Sequence, residues 1–274
     1  MNRAISEGKP RRSLRSRLRD GTVTTSMFSI VPSPVIVEMV GLAGFDSVII
    51  DMEHGPIGID RLTSLVVAAE LRGMHAIVRV PECRTPLIGA ALDVGAAGVL
   101  VPQIENPEDA RFAVAASRFA PEGNRGVNPW VRAADYGRRS DWLASANSET
   151  AVMVMVEGKG GLQNLDGILA VPGLDAIFLG PVDMANSLGV PGQPEHPLVV
   201  DALVQAAAQA TERKVAVGVF TRVPSTVRQW IDRGVSLIAV SEDTVTIQDA
   251  FSALYSQIGA PSDRHTLDDK ETGD

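Results

Sequence analysis

The chain has 274 residues, 45% hydrophobic and 21% charged, enough for one α/β barrel that buries its own core. Its net charge of −8 excludes a general nucleic-acid binder, which needs clustered Lys and Arg to neutralise phosphate, and no apolar run approaches the ~20 residues of a membrane span. One cysteine, Cys83, rules out an internal disulfide and a Cys-based zinc site. The basic N-terminus has no apolar secretory segment behind it, so the expectation is a cytoplasmic protein.

Residues 1–12 read as a flexible tail. The basic side chains Lys9, Arg11, Arg12, Arg15, Arg17 and Arg19 surround Leu14 and Leu18 at helical spacing. That pattern predicts a short amphipathic helix packed on the domain in preference to a polyanion-binding arm. Eight apolar runs follow: TVTTSMFSI (22–30), DSVIID (46–51), AIVRV (76–80), GVLVP (98–102), AVMVMV (151–156), AIFLG (176–180), VAVGVF (215–220) and SLIAVS (236–241). Between them lie helical patterns such as RLTSLVVAAELRG (61–73) and DALVQAAAQATERK (201–214). Strand and helix in strict alternation call for a parallel sheet, and eight such units match a closed barrel. The fold class is therefore α/β, a single (β/α)8 TIM barrel over residues 13–258 with a short N-terminal helix. Gly44, Gly73, Gly98 and Gly234 are placed as left-handed helix ends. Two long connections, 120–148 with Trp130, Tyr136 and Trp142, and the Pro-rich 181–197, are expected at the catalytic mouth as lids or interfaces. Residues 259–274 read as a disordered tail.

Barrel active sites lie at the C-terminal strand ends, so the polar groups there are the candidates. The second run ends in Asp51, Glu53 and His54, the third at Arg79, the fourth in Pro102 and Gln103. The fifth leads to Glu157 and the sixth to Gly180, Pro181 and Asp183. Two carboxylates from adjacent strands, Glu157 and Asp183, suit a hard divalent ion such as Mg²⁺ or Mn²⁺; each is also able simply to pair with Arg or cap a helix. His54 is the acid/base candidate, with Asp51 placed to orient its ring; alternatively it satisfies a loop carbonyl. Arg79 is a forked cation for a carboxylate or enolate oxygen, or the ion-pair partner of Asp51 or Glu53. His75 and His196 are weaker candidates. A Schiff-base enzyme needs a lysine at this rim. Of Lys9, Lys159, Lys214 and Lys270, only Lys159 is near it.

Several segments, in order, resemble one family: GFDSVIIDMEHGP (44–56), VRV (78–80), DVGAAGVLVPQIENPEDA (93–110), RGV (125–127), VMVEGKGGLQNL (154–165) and FLGPVDMANSLGVPGQPEHP (178–197). They are similar to the HpcH/HpaI class II pyruvate aldolases. The resemblance implies a phosphoenolpyruvate/pyruvate-type barrel and a divalent ion (Mg²⁺, Mn²⁺ or Co²⁺) on Glu157 and Asp183. It also implies pyruvate or a close 2-oxo acid plus an aldehyde as reactants. Arg79 would meet the enolate oxygen, and His54, oriented by Asp51 with Glu53 behind it, would handle the aldol hydroxyl proton. Gln103, Arg125, Gly180 and Pro181 would contact substrate. A homo-oligomer, a hexamer built as a trimer of helix-swapped dimers, is implied as well, with residues 244–257 in the interface. Three departures stand out: Met155 where relatives carry Gln, Ala185 where they carry a hydroxyl, and a bulkier, more aromatic link NPWVRAADYGRR (128–139). Together they point to a less polar acceptor, or to 2-oxo-diacid (oxaloacetate) decarboxylating chemistry of the same family. A non-catalytic barrel binding a small acid is the alternative from another class.

Overall fold

The structure is a computed structural model that describes residues 12–258; the two tails expected at the ends lie, but for Arg12, outside these residues. Eight strands form a closed barrel in sequence order: β1 (Thr24–Ser29), β2 (Ser47–Asp51), β3 (His75–Arg79), β4 (Gly98–Val101), β5 (Ala151–Val156), β6 (Ala176–Leu179), β7 (Ala216–Thr221) and β8 (Leu237–Glu242). Every neighbouring pair is parallel, including the closing pair β1 and β8. Helix α1 (Leu14–Arg19) precedes the barrel. Around it run α2 (Pro34–Ala43), α3 (Ile59–Leu71), α4 (Thr85–Asp93), α5 (Pro107–Ser117), α6 (Trp142–Glu149), α7 (Lys159–Gln163) and α8 (Leu165–Leu169). Then come α9 (Pro181–Ser187), α10 (Pro197–Glu212), α11 (Val227–Asp232) and α12 (Asp243–Ile258).

Side-chain alternation divides the core in two. Odd members of each run, such as Phe28, Ile49, Ile77, Leu100, Met153, Met155 and Phe178, fill the barrel interior, while their neighbours Val48, Ile50, Val78, Val152 and Val154 face the helices. The low aromatic content leaves the interior to aliphatic side chains apart from one cluster, where the Phe28 ring meets Phe178 and Phe220 edge-on at 5.9 and 5.7 Å. Gly218 makes that cluster possible, since a Cβ there would lie 2.4 Å from the Phe178 ring.

Helix α1 packs as the sequence pattern predicts. Leu14 and Leu18 close the interior at the N-terminal end of the barrel. Asp175, buried just before β6, accepts from Arg15 Nε (2.7 Å) and Arg118 Nη2 (2.8 Å), with Arg19 Nε at 3.3 Å.

Two expectations are corrected. Gly44, Gly73 and Gly234 are left-handed (φ 105°, 68° and 87°), but Gly98 is the first residue of β4; the left-handed turn before it is at Gly95, φ 97°. Segment 120–148 connects α5 to β5, so it belongs to the N-terminal end of the barrel and not to the catalytic mouth. The reason is directional: only connections leaving a strand open on the mouth. The Pro-rich segment 181–197 does follow a strand, β6.

Candidate active site

The inward alternation carries Asp51, Arg79 and Glu157 to the C-terminal rim, each in register with the interior residues below it. Arg79 and Asp51 form a buried pair: Nε meets Asp51 Oδ1 at 2.9 Å and Nη2 meets Oδ2 at 2.5 Å. Nη1 lies 3.2 Å from Glu53 Oε2 and 3.9 Å from the Met155 thioether. The guanidinium stacks over Phe28, 4.9 Å from the ring centre. Burial opposes the cation, but the hydrogen bonds and charge of Asp51, with Glu53 and Glu157, outweigh it and raise the Arg79 pKa.

This pairing revises the roles expected of Asp51. Its carboxylate is occupied by Arg79 and by the backbone N–H groups of Glu53 and His54, and not by the His54 ring. A two-oxygen acceptor facing a fork is held in the fork's plane, which turns it from the imidazole. The carboxylate beside the imidazole is Glu53, with Oε2 3.8 Å from Nε2. The His54 side chain is 61% exposed. Burial pushes the Glu53 pKa up, against the pull of Arg79 and His54.

Gln103 follows β4 with φ 58°, a left-handed conformation that costs energy in a side-chain-bearing residue. That turn aims its backbone N–H at Glu157 Oε1 (2.7 Å) while its side-chain amide donates to Glu53 Oε1 (3.0 Å). One strained residue thus ties both carboxylates to the rim. Gly180 lies against Glu157: a Cβ there would come within 3.0 Å of the Glu157 Cβ and 3.1 Å of its Oε2. Pro181 starts α9, and Asp183 sits in that helix's first turn.

Glu53, His54, Gln103, Glu157 and Asp183 line one cleft of about 520 Å³, together with Ile104, Glu105, Asp109, Gly158, Asn186 and Ser187. Asp51 and Arg79 lie buried behind it. Lys159 follows Gly158 at the start of α7. Burial, and then the charge of nearby Asp183, pushes the Glu157 carboxyl up to about 7 despite the Gln103 hydrogen bond. A buried carboxylate raised by its neighbour's charge is short of positive charge, and a divalent cation between Glu157 and Asp183 would supply it. Among the described residues no group of three or more His, Cys, Asp or Glu side chains forms a complete cage. Water and substrate oxygens would therefore complete the coordination of an ion held there.

Three sequence candidates fall elsewhere. Arg125 lies in a cavity at the N-terminal end of the barrel with the residues that begin β3. It donates to Asp93 (2.7 Å) and stacks on Phe119 (4.5 Å) and Trp142 (5.5 Å), because it belongs to the 120–148 segment. His75 begins β3 at that same end. His196 caps α10, its Nδ1 accepting from Leu198 N–H. Of the three departures, Met155 is inside the barrel beneath the rim, Ala185 is buried between α9 and the sheet, away from the cleft, and the 128–139 link lies in the segment between α5 and β5. The sequence reading missed Asp243. It is buried at the head of α12, and its carboxylate accepts from Ser29 Oγ and the N–H groups of Ile30 and Val31, clasping β1 to β8. Its available signal was the acidic pair Glu242-Asp243 that follows the last apolar run.

Fold and rim together define a (β/α)8 barrel whose mouth holds two carboxylates, Glu157 and Asp183, beside a buried arginine. The profile of the HpcH/HpaI aldolase/citrate lyase family matches residues 24–250, and the chain belongs to that family. It is an aldolase-type carbon–carbon lyase. It is 34% identical over 235 residues to the hydroxypyruvate/pyruvate aldolase of Roseobacter denitrificans, covering 85% of this chain and 92% of that one. It is also 34% identical over 243 residues to the 5-keto-4-deoxy-D-glucarate aldolase of Salmonella paratyphi C, covering 89% and 93%. A crystal structure of an HpcH/HpaI aldolase/citrate lyase family protein from Burkholderia cenocepacia superposes with a TM-score of 0.86 at 36% identity, over 90% of this chain and 99% of that one.

Proposed function

We propose that this enzyme is a divalent-metal-dependent aldolase that interconverts a 4-hydroxy-2-oxo acid with pyruvate, or a close 2-oxo acid, and an aldehyde. The observation that carries this reading is the Glu157 carboxylate, pushed up to about 7 by burial and by Asp183 in the same cleft, with the charge of Arg79 offsetting this only in part. Kinship with a hydroxypyruvate/pyruvate aldolase favours pyruvate as the acid half. Mg²⁺, Mn²⁺ or Co²⁺ fits the all-oxygen donor set. When bound, the ion would act as a Lewis acid toward the carboxylate and 2-oxo oxygens of the substrate.

The chain's own groups then divide the work. His54 removes the proton from the C4 hydroxyl as the C3–C4 bond breaks, and Glu53 stabilises the imidazolium that results. The electron pair of that bond passes to the enolate of the 2-oxo acid. Arg79 places positive charge near that enolate, its orientation locked by Asp51. Protonation at C3 gives the 2-oxo acid, and the C4 fragment leaves as the aldehyde. Glu53, half-committed to Gln103, keeps the His54 side of the cleft polar.

A cytoplasmic location, expected from the free thiol Cys83, belongs to the same proposal. So does a homo-oligomer in which α12 crosses to a second copy.

The test needs no knowledge of the aldehyde. With Mg²⁺ or Mn²⁺ present, the wild type should exchange pyruvate methyl protons with D₂O, followed by proton NMR. Glu157→Ala should abolish exchange, and Arg79→Lys should slow it by ~10²-fold, the scale of one lost charge-stabilising donor. Wild-type protein that gives no metal-dependent exchange would remove pyruvate from this account.

A further inference from the structure

The first turn of α9 has two sides. Asp183 lines the acidic cleft, while the two residues before it, Pro181 and Val182, wall a second cavity of about 590 Å³. That groove runs over the end of β7 to α10 and α11, and its surface is mainly apolar, with Leu203, Val223 and Trp230 among its walls. Phe220 connects it to the reaction centre. This ring lines the groove and also meets Phe28 edge-on, the ring that underlies Arg79.

Arg222 stands at the mouth of this groove, one residue beyond the end of β7. The ends of β6 and β7 are neighbours, Leu179 pairing with Val219, and Arg222 shares the groove lining with Val182, the residue before Asp183. Around eight strands β7 is opposite β3, which carries Arg79. Arg79 thus stands on one side of the carboxylates of β5 and α9, and the groove that Arg222 lines lies on the other. Their bonding differs. Arg79 is saturated by Asp51 and Glu53, whereas Arg222 is exposed and forms no ion pair or side-chain hydrogen bond among the described residues. The groove's other cation, Arg233, is stacked on Trp230 at 5.2 Å. Its one carboxylate, Glu195, leaves the lining with a net positive charge.

We propose that Arg222 and this groove select the acceptor: the aldehyde half lies over the first turn of α9, an apolar body against Phe220, Val223 and Trp230, and an anionic tip on Arg222. This rests on the aldolase reading above and adds the substrate class. An apolar slot of this volume with a single convergent charge is the usual form of a small-molecule subsite. An unpaired Arg in such a place favours a carboxylate, which it can grip with two parallel hydrogen bonds.

The test compares two aldehydes of equal shape, 4-formylbenzoate and its methyl ester, in aldol addition to pyruvate. The wild type should prefer the carboxylate in kcat/KM. Arg222→Met should reduce that preference roughly 10- to 100-fold, the scale of one charge-assisted hydrogen bond, with the change mostly in KM. Arg222→Lys should restore part of it, since charge remains and the fork is lost. An equal preference in wild type and Arg222→Met would overturn the assignment, as would a wild type that favours the ester. The methyl exchange of pyruvate, which needs no acceptor, separates the two levels. Exchange with an unchanged ratio removes the Arg222 role alone; absence of exchange removes the aldolase reading and this inference with it.

Discussion

Glu157 is the residue whose environment makes the sharpest demand. Its folded pKa is about 7 against an ordinary 4.5, so between those values the folded state binds more protons than the unfolded one. Metal-free protein must then lose stability as pH rises from about 4.5 through 7, by on the order of 3 kcal/mol. Urea melts of chelator-treated protein should show that loss, and Glu157→Gln should remove most of it, leaving the variant more stable than wild type at pH 8. Identical pH slopes would mean that the carboxylate is not destabilised by its site. Because an ion must displace the proton, Mg²⁺ should raise the melting temperature more at pH 8 than at pH 6. Residue identities at this rim were legible from sequence, because strand ends in a barrel converge on one face. Their pairing was not. Asp51 at three residues from His54 suggested a dyad, but the short span lets Asp51 bind the His54 backbone N–H while its carboxylate faces Arg79, 28 residues away.

At the scale of elements, the strands were read to within about two residues, since fully buried strands in a parallel barrel leave uninterrupted apolar runs. The 120–148 segment was misplaced for a different reason. Its length and aromatics resemble a lid, and only the count of strands around it reveals that it enters β5 and does not leave it. Helix α1 was legible through Leu14 and Leu18, whereas its polar anchor was not: Arg15 reaches Asp175 across 160 residues. There Asp175 is wholly buried, as is Arg118, and their mutual compensation permits both charges inside. Burial alone lowers the Arg118 pKa, and Asp175 partly restores it. Replacing Arg118 with Ala should cost about 3–5 kcal/mol, the penalty for stranding part of a buried ionic network. Arg19→Ala, at an exposed member of the same cluster, should cost under about 1 kcal/mol. Denaturant unfolding of both variants checks the contrast, and equal costs would show that burial does not set the strength of this network.

For the whole molecule, the surface left bare by the fold is what the proposed homo-oligomer would cover. Phe251, Leu254, Tyr255 and Ile258 are 58–72% exposed and recur at the spacing of one helical face on α12. Of this helix only Asp243 is buried, and its main packing is with β1 and β8, where it begins. A second stripe, Val35, Met39 and Leu42, is 57–69% exposed on the outside of α2. In a closed barrel the helix after β8 would normally cover the neighbourhood of the helix after β1. Here both faces are apolar and neither is covered among the described residues, and in the proposed oligomer a second copy's α12 would lie on α2 and cover both. A two-fold exchange of this kind is isologous and closes on itself. Each buried large side chain contributes about 1.5–3 kcal/mol, so four per helix, doubled by symmetry, suffice for a stable dimer even after the cost of association. The double variant Phe251→Asp/Leu254→Asp should elute as a monomer by light scattering, where the wild type should elute as a dimer or a multiple of one. The same variant should lose part of its thermal stability, because α2 is then left exposed in every copy. An unchanged mass would show that α12 has no role in assembly. A monomeric wild type would leave the two apolar stripes without a partner and remove the oligomer from this account.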